Sequence, residues 1–280
     1  MQLSGLAAAL TLLAFAPSQS TPPAPPPPAS APTPGTGAWV IATGNEDRPG
    51  GTLARFDLAT GTVERAIDLP FDSPNDHQPL EVVLLPDGQG ALVARLVNVS
   101  PNRQVTLVQT VSLADGKETS STRFPGWLDS LEFHPKTGEL WATQTEVSGL
   151  RKLVRVKLKR GELDLVGELP GDLAPRSLAF TRDGKQLWCL SATNEAKKDE
   201  LVELDPSDGK VLRRVPWGIE HPAHALDIDA SGRLLALAWG GTLHEFDARS
   251  GRSRPLFTFP DHRLGIPVGL ELERPAAAKR

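Results

Sequence analysis

The residues of this chain best suited to chemistry are histidines and carboxylates gathered just after a recurring proline. Four of the six histidines, His77, His221, His224 and His262, lie in such segments or at the start of the stretch that follows. Asp72, Asp76, Glu81, Asp129, Asp172, Glu220 and Asp261 accompany them, with Arg176 and Arg263 as cations. Imidazole and carboxylate converging on one point can hold a divalent metal, and the metal can acidify a water for hydrolysis. Without metal, the same set supplies a general base and an arginine that holds an anion. Trp127 and Trp217 fall in the same segments (FPGW, VPWG) and are expected to offer their rings to a ligand. The plain alternative is that these polar segments only cap backbone groups. His221-x-x-His224 is not on a helix, so its spacing carries no metal geometry of its own.

The elements that must position these residues follow from a two-part phrase repeated along the chain. The first half is a strand, a glycine turn and a strand, at 80–96 (LEVVLLPDGQGALVARL), 128–144, 175–191 and 223–239. The second half ends in a turn and a proline, at 53–70, 111–125, 153–170, 201–216 and 243–260. Repeats built from four short strands are the signature of a β-propeller. Five second halves accompany only four complete first halves, and the missing one is split between the ends: 267–275 (PVGLELERP) matches the start of a first half and 36–43 (TGAWVIAT) its finish. The expected fold is therefore all-β, a five-bladed propeller over residues 37–275, closed by pairing of the N- and C-terminal strands in one blade. Closure of this kind leaves no long open sheet edge.

In such a ring the first strand of each blade lines the central channel. Aligning the repeats places Leu80 or Glu81, Asp129, Arg176, His224 and Val268 at corresponding positions around its mouth. The blade-to-blade loops 71–79, 126–128, 171–175, 217–223 and 261–267 emerge on that same face. Glu81, Asp129, Arg176 and His224 are the catalytic candidates if the chain is an enzyme; Trp127, Trp217, His77, His221, His262 and Arg263 are the ligand-binding candidates. No cofactor other than a divalent metal is suggested, and no full ligand set for one can be assigned. Trp39, Trp141, Trp188 and Trp239 recur after the first-half turns and are expected to pack between blades. Asp57, Asp205 and Asp247 precede turns in equivalent strands, where aspartate bonds local amides.

Ahead of the repeats, residues 6–16 form a short apolar run ending in Ala14-Phe15-Ala16, the pattern of a signal peptide cleaved after residue 16. The run is too short to span a bilayer. Residues 17–36 hold nine prolines and no charge, as expected of an extended, disordered linker. Residues 276–280 read as a disordered tail. The chain is thus expected to be exported, to a periplasm or outside the cell, and monomeric. A net charge of −4 and the lack of a long basic run argue against a nucleic-acid partner. The single cysteine, Cys189, lies between a tryptophan and a leucine in a strand and is expected to be buried. G-x-S-x-G, P-loop, H-E-x-x-H and paired C-x-x-C patterns are absent from the sequence.

The phrases LAFTRDGKQLWCL and LDIDASGRLLAL resemble the YVTN and WD40-like propeller repeats. FDLATGTV and LDPSDGKV are similar to the repeats of quinoprotein-dehydrogenase-like propellers. These resemblances imply the fold and say little of activity, since the matched residues are turn and core positions. LDSLEFHPKTGELWATQTE and VGLELE are similar to segments of esterase-like phytase and gluconolactonase-type propellers, a resemblance that implies axial carboxylates and nominates Glu81 and Asp129. Five-bladed propellers also include glycosidases, for which the same two residues could form the catalytic pair. The first reading is a protein that binds a protein, glycan or small molecule on the loop face. The second is a metal-assisted hydrolase of a phosphoester, lactone or glycoside at the axial mouth.

Overall fold

The structure is a computed structural model that describes residues 37–43, 51–69, 76–100, 103–192, 199–229, 231–259 and 266–273. The expected leader, linker and tail lie outside them, as do His262, Arg263 and the side chain of His77. Twenty strands form five four-stranded sheets. Blade 1 holds β1 (Gly37–Thr43), β2 (Thr52–Asp57) and β3 (Val63–Asp68). Blade 2 holds β4 (Asp76–Leu84), β5 (Gly90–Ser100), β6 (Arg103–Ser112) and β7 (Glu118–Pro125). Blade 3 holds β8 (Trp127–Phe133), β9 (Leu140–Thr145), β10 (Arg151–Lys157) and β11 (Glu162–Leu169). Blade 4 holds β12 (Pro175–Phe180), β13 (Leu187–Ser191), β14 (Glu200–Leu204) and β15 (Val211–Pro216). Blade 5 holds β16 (Ala223–Ile228), β17 (Leu234–Ala238), β18 (Thr242–Asp247) and β19 (Arg252–Thr258), and β20 (Ile266–Leu272) returns to complete blade 1 in the order β20-β1-β2-β3. The inner strands β4, β8, β12, β16 and β20 each pack on the next, and β20 packs on β4. The chain is a five-bladed β-propeller closed by its terminal strands.

The core is five apolar layers, one between each pair of neighbouring blades. Period-two alternation splits each central strand between two of them. On β1, Ala38, Val40 and Ala42 face blade 5, whereas Trp39 and Ile41 face blade 2. On β13, Leu187 and Cys189 join the layer with blade 3, whereas Trp188 and Leu190 join the layer with blade 5. A strand buried on both faces reads as an unbroken apolar run, which is how GAWVIA and LWCL appear. The outer strands touch solvent: β3 and β7 are mostly exposed.

Antiparallel order puts different connections at the two ends of the ring. One end carries the tight turns between first and second and between third and fourth strands. Three of the third-to-fourth turns close on aspartates: the Asp57 carboxylate accepts from Ala59 N and Thr60 N, Asp205 from Ser207 N, and Asp247 from Arg249 N. Gly61, Gly209 and Gly251 supply the left-handed residue each of these turns requires. The other end carries the blade-to-blade connections and those between second and third strands.

Ring closure is fastened at Glu273. Its carboxylate accepts from Arg55 Nε at 2.6 Å, from a second Arg55 nitrogen at 2.7 Å and from Trp39 Nε1 at 3.1 Å. The backbone N–H of Glu273 donates to Gly37 O. A Cβ at Gly37 would sit 2.6 Å from the Glu273 carboxylate, so any larger residue here would have to displace the Glu273–Arg55 pair.

Candidate functional site

Every inner strand breaks register at the same place. The ladder skips one residue between Pro79 and Glu81, Leu128 and Ser130, Pro175 and Ser177, and Ala223 and Ala225, and between Pro267 and Gly269 opposite β1. The skipped residues are Leu80, Asp129, Arg176, His224 and Val268, the set that repeat alignment brings to the mouth. A β-bulge leaves its extra residue unpaired and re-aims the side chain. Five bulges at one level thus place a polar run on blades 3, 4 and 5 and the apolar Leu80 and Val268 on blades 2 and 1, Val268 packing against the layer between them.

The polar arc is electrically coupled. Asp129 accepts a hydrogen bond from the Thr145 hydroxyl at 2.6 Å, and burial pushes its carboxyl up to about 6 against the opposing pull of Thr145, Arg151 and Arg176. Arg176 donates through Nε to Ala192 O. Burial, helped by the Arg176 charge, pulls His224 down to about 4, although Asp199 opposes the shift. The imidazole is therefore neutral at neutral pH. Its Nε2 is buried without a hydrogen-bond partner, and its ring lies against that of Trp239, centroids 4.8 Å apart. Asp199 accepts from Ala223 N and so ties blade 4 to the strand that carries His224.

The repeat pattern puts Trp239 in an inter-blade layer, but the residue is 48% exposed. It occupies a tight turn closed by Gly241 N on Ala238 O, with Gly240 at φ 88°, so the strand ends before its indole can be drawn inward. Trp217 reverses the expectation in the other direction. It is fully buried, stacks on Phe246 at 6.0 Å, and donates through Nε1 to His221 O. Although Val215-Pro216-Trp217-Gly218 reads as an exposed loop, the turn directs this indole into the layer between blades 4 and 5. Trp217 offers no surface to a ligand. The His221 side chain is exposed, with its carbonyl as the anchor for Trp217.

Trp127 is 40% exposed at the start of β8. It follows Gly126, which takes φ 72° where a Cβ would meet Thr145 O at 2.9 Å. The Thr106 hydroxyl fixes this entry by donating to Gly126 O and accepting from Leu128 N. Val99 and Val147 are exposed on the same end of the ring. The β5–β6 hairpin carrying Val99 continues beyond Leu96↔Thr106 to Ser100↔Arg103, so blade 2 projects above that face as a wall.

Glu81 belongs to a second constellation, deeper than the bulges. Glu132, Asp227 and Glu271 occupy one repeat position on β8, β16 and β20, are all buried, and have ligand-capable oxygens within 4.8 Å of one another. Burial raises Glu81 well above the usual carboxylate range, and the charges of Glu132 and Asp227 push it further. Gly269 makes room for it, since a Cβ there would lie 3.0 Å from Glu81 Oε1. The Asp227 carboxylate accepts from Ile228 N and, across the blade boundary, from Leu272 N, both at 2.6 Å. Among the described residues, these axial carboxylates, and no set containing His221 and His224, form the group that could hold a cation. Glu81 therefore separates from Asp129, Arg176 and His224: Leu80 takes the mouth position in blade 2.

Searches against protein-family models and curated proteins return no match. Solved structures do match. TolB from Acinetobacter baumannii superposes with a TM-score of 0.52 at 16% identity, over 79% of this chain and 53% of that one. A Bacteroides caccae protein of unknown function gives 0.48 at 12% identity, over 80% and 73% of the two chains. The β-propeller domain of Cps50 (Swd1) from Myceliophteria thermophila gives 0.44 at 17% identity, over 75% and 64%. The chain spans about half the length of the TolB chain. At this identity the likeness to TolB shows the fold alone, a β-propeller.

Proposed function

We propose that this propeller is a binding protein that engages a ligand or partner on the face formed by its blade-to-blade and second-to-third-strand connections. One observation carries the reading. Among the described residues, Val99, Trp127, Val147 and Trp239 are exposed on that face, whereas the other exposed large apolar side chains, Val63, Leu165 and Leu212, are spread over the outermost strands of three blades, and three turns at the opposite end are closed by aspartates. Exposed apolar groups collected on one surface and rimmed by polar residues mark interaction sites. We further propose that the chain is exported, on the strength of residues 6–16 and the Ala14-Phe15-Ala16 site; a mature N-terminus other than Pro17 would contradict the proposed cleavage.

A photo-crosslinking residue placed in turn at positions 147 and 239, and at 183 and 208 on the opposite end, tests the binding reading in the cells that make the protein. Adducts confined to 147 and 239 support it. Adducts only at 183 and 208, or none anywhere, overturn it.

A metal-assisted hydrolase is the second reading, favoured by the mutual approach of Glu132, Asp227 and Glu271. A divalent cation there would offset the repulsion of the buried carboxylates. Plasma mass spectrometry after exposure to mixed divalent metals should then find about one ion per chain, lost in Glu132→Gln/Asp227→Asn. A metal-free chain with no hydrolytic activity would remove this reading.

A further inference from the structure

We propose that the five-bulge ring and Trp239 together form a site for one pyranose ring of an uncharged glycan. The proposal rests on the binding reading above and names the ligand class for its axial part. Three observations point the same way. First, five equivalent bulges bring Leu80, Asp129, Arg176, His224 and Val268 to one level, and a bulge re-aims the side chain of its extra residue. Second, His224 Nε2 is buried with no partner, a costly state for a polar atom unless something else completes it. Third, an indole about half exposed lies directly against that imidazole.

Charge selects among ligand classes. Arg151 and Arg176 act on Asp129, and Arg176 and Asp199 act on the neutral His224, so acidic and basic side chains are interleaved around the arc. Interleaved acids and bases above the buried Glu81, Glu132, Asp227 and Glu271 have little to offer an anion. They suit a molecule whose groups both donate and accept. Sugar hydroxyls can donate to the Asp129 carboxylate and accept from the Arg176 guanidinium, and either kind of contact satisfies a neutral imidazole nitrogen. The axial C–H face of a pyranose is apolar, and it matches the Trp239 indole and the Leu80–Val268 arc.

The test uses the full chain with a panel of neutral oligosaccharides of glucose, galactose, mannose and N-acetylglucosamine, beside matched uronate-containing ones, read by saturation-transfer NMR and calorimetry. The expected result is binding of at least one neutral sugar, weakened about tenfold or more by Trp239→Ala and by His224→Gln and unchanged by Leu212→Ala on the outer strand of blade 4. Trp239 is exposed, so its replacement leaves the fold intact. Affinity should also fall as pH is lowered through about 6, where Asp129 takes up a proton. No neutral sugar bound at about 10 mM, binding indifferent to Trp239→Ala, or preference for uronates would overturn the proposal. Sugar binding lost in Trp127→Ala but kept in Trp239→Ala would discard this site while leaving the face. Loss of the crosslinks at 147 and 239 would discard the face itself.

Discussion

Replacing Asp129 by asparagine removes one titration from the mouth while keeping an oxygen for the Thr145 hydroxyl to donate to. In the folded chain this carboxyl titrates near 6 rather than 3.8, chiefly because it is buried. The folded state therefore binds the proton more tightly than the unfolded state. Its stabilising effect is complete below the unfolded value and is lost as pH rises through about 6. At about 1.4 kcal/mol per pH unit, the full swing is about 3 kcal/mol, most of it between pH 4 and pH 8. The substituted amide does not titrate. The variant should match the wild-type stability at pH 4 and exceed it by about 2 to 3 kcal/mol at pH 8, a melting difference of roughly 5–10 °C for a domain of this size. Scanning calorimetry of both proteins across that range measures it, and all other titrations cancel in the difference. A gap that stays constant with pH would show that Asp129 is solvated and that the bulge does not bury it.

The opposite sign is expected at His224, whose folded value lies near 4: its contribution is present above about 6.5 and is lost as pH falls toward 4, so His224→Gln should flatten the acid limb of the stability profile. Trp217→Ala should cost about 3–5 kcal/mol in urea unfolding, as deletion of a fully buried indole does, whereas Trp127→Ala should stay within about 0.5. Cys189 is buried, with its thiol pushed up to about 12, so iodoacetamide should label it only after unfolding, as read by intact mass. Glu273→Ala strips Arg55 and Trp39 of their shared acceptor and should lower stability by about 1.5–3 kcal/mol.

The fold was legible because a propeller writes each blade twice, once in turns and once in alternation. Asp57, Asp205 and Asp247 hold the turns their spacing implied, and the split repeat at the two ends pairs as β20 with β1. The mouth level was legible for the same reason, since equal repeat positions must arrive at equal heights. What the sequence conceals is direction. Trp217 and Trp239 both follow a strand and precede a glycine, yet one turns inward onto Phe246 and the other stays in solvent, a choice made by a turn of one or two residues. The axial carboxylates did leave a signal: LDSLEF, AHALDI and PVGLEL carry Glu132, Asp227 and Glu271 in the same column, where an apolar residue would be ordinary.

The latch at Glu273 also sets the order in which the protein can be made. Trp39 and its acceptor are 234 residues apart, so the first blade cannot be completed until residue 273 has been made. At 5–20 residues per second, β1 waits roughly ten to fifty seconds for β20. Throughout that interval the inner edge of β1 lacks its partner strand, and the faces of Ala38 and Val40 and of Leu237 and Leu243 have no neighbour to cover them. The nascent ring is an open chain of blades with a sticky edge at its start and an uncovered face at its end. Two such chains held close together during synthesis could exchange their last strands and close each other's rings, so dilution and holding factors during synthesis should govern the yield of single closed rings.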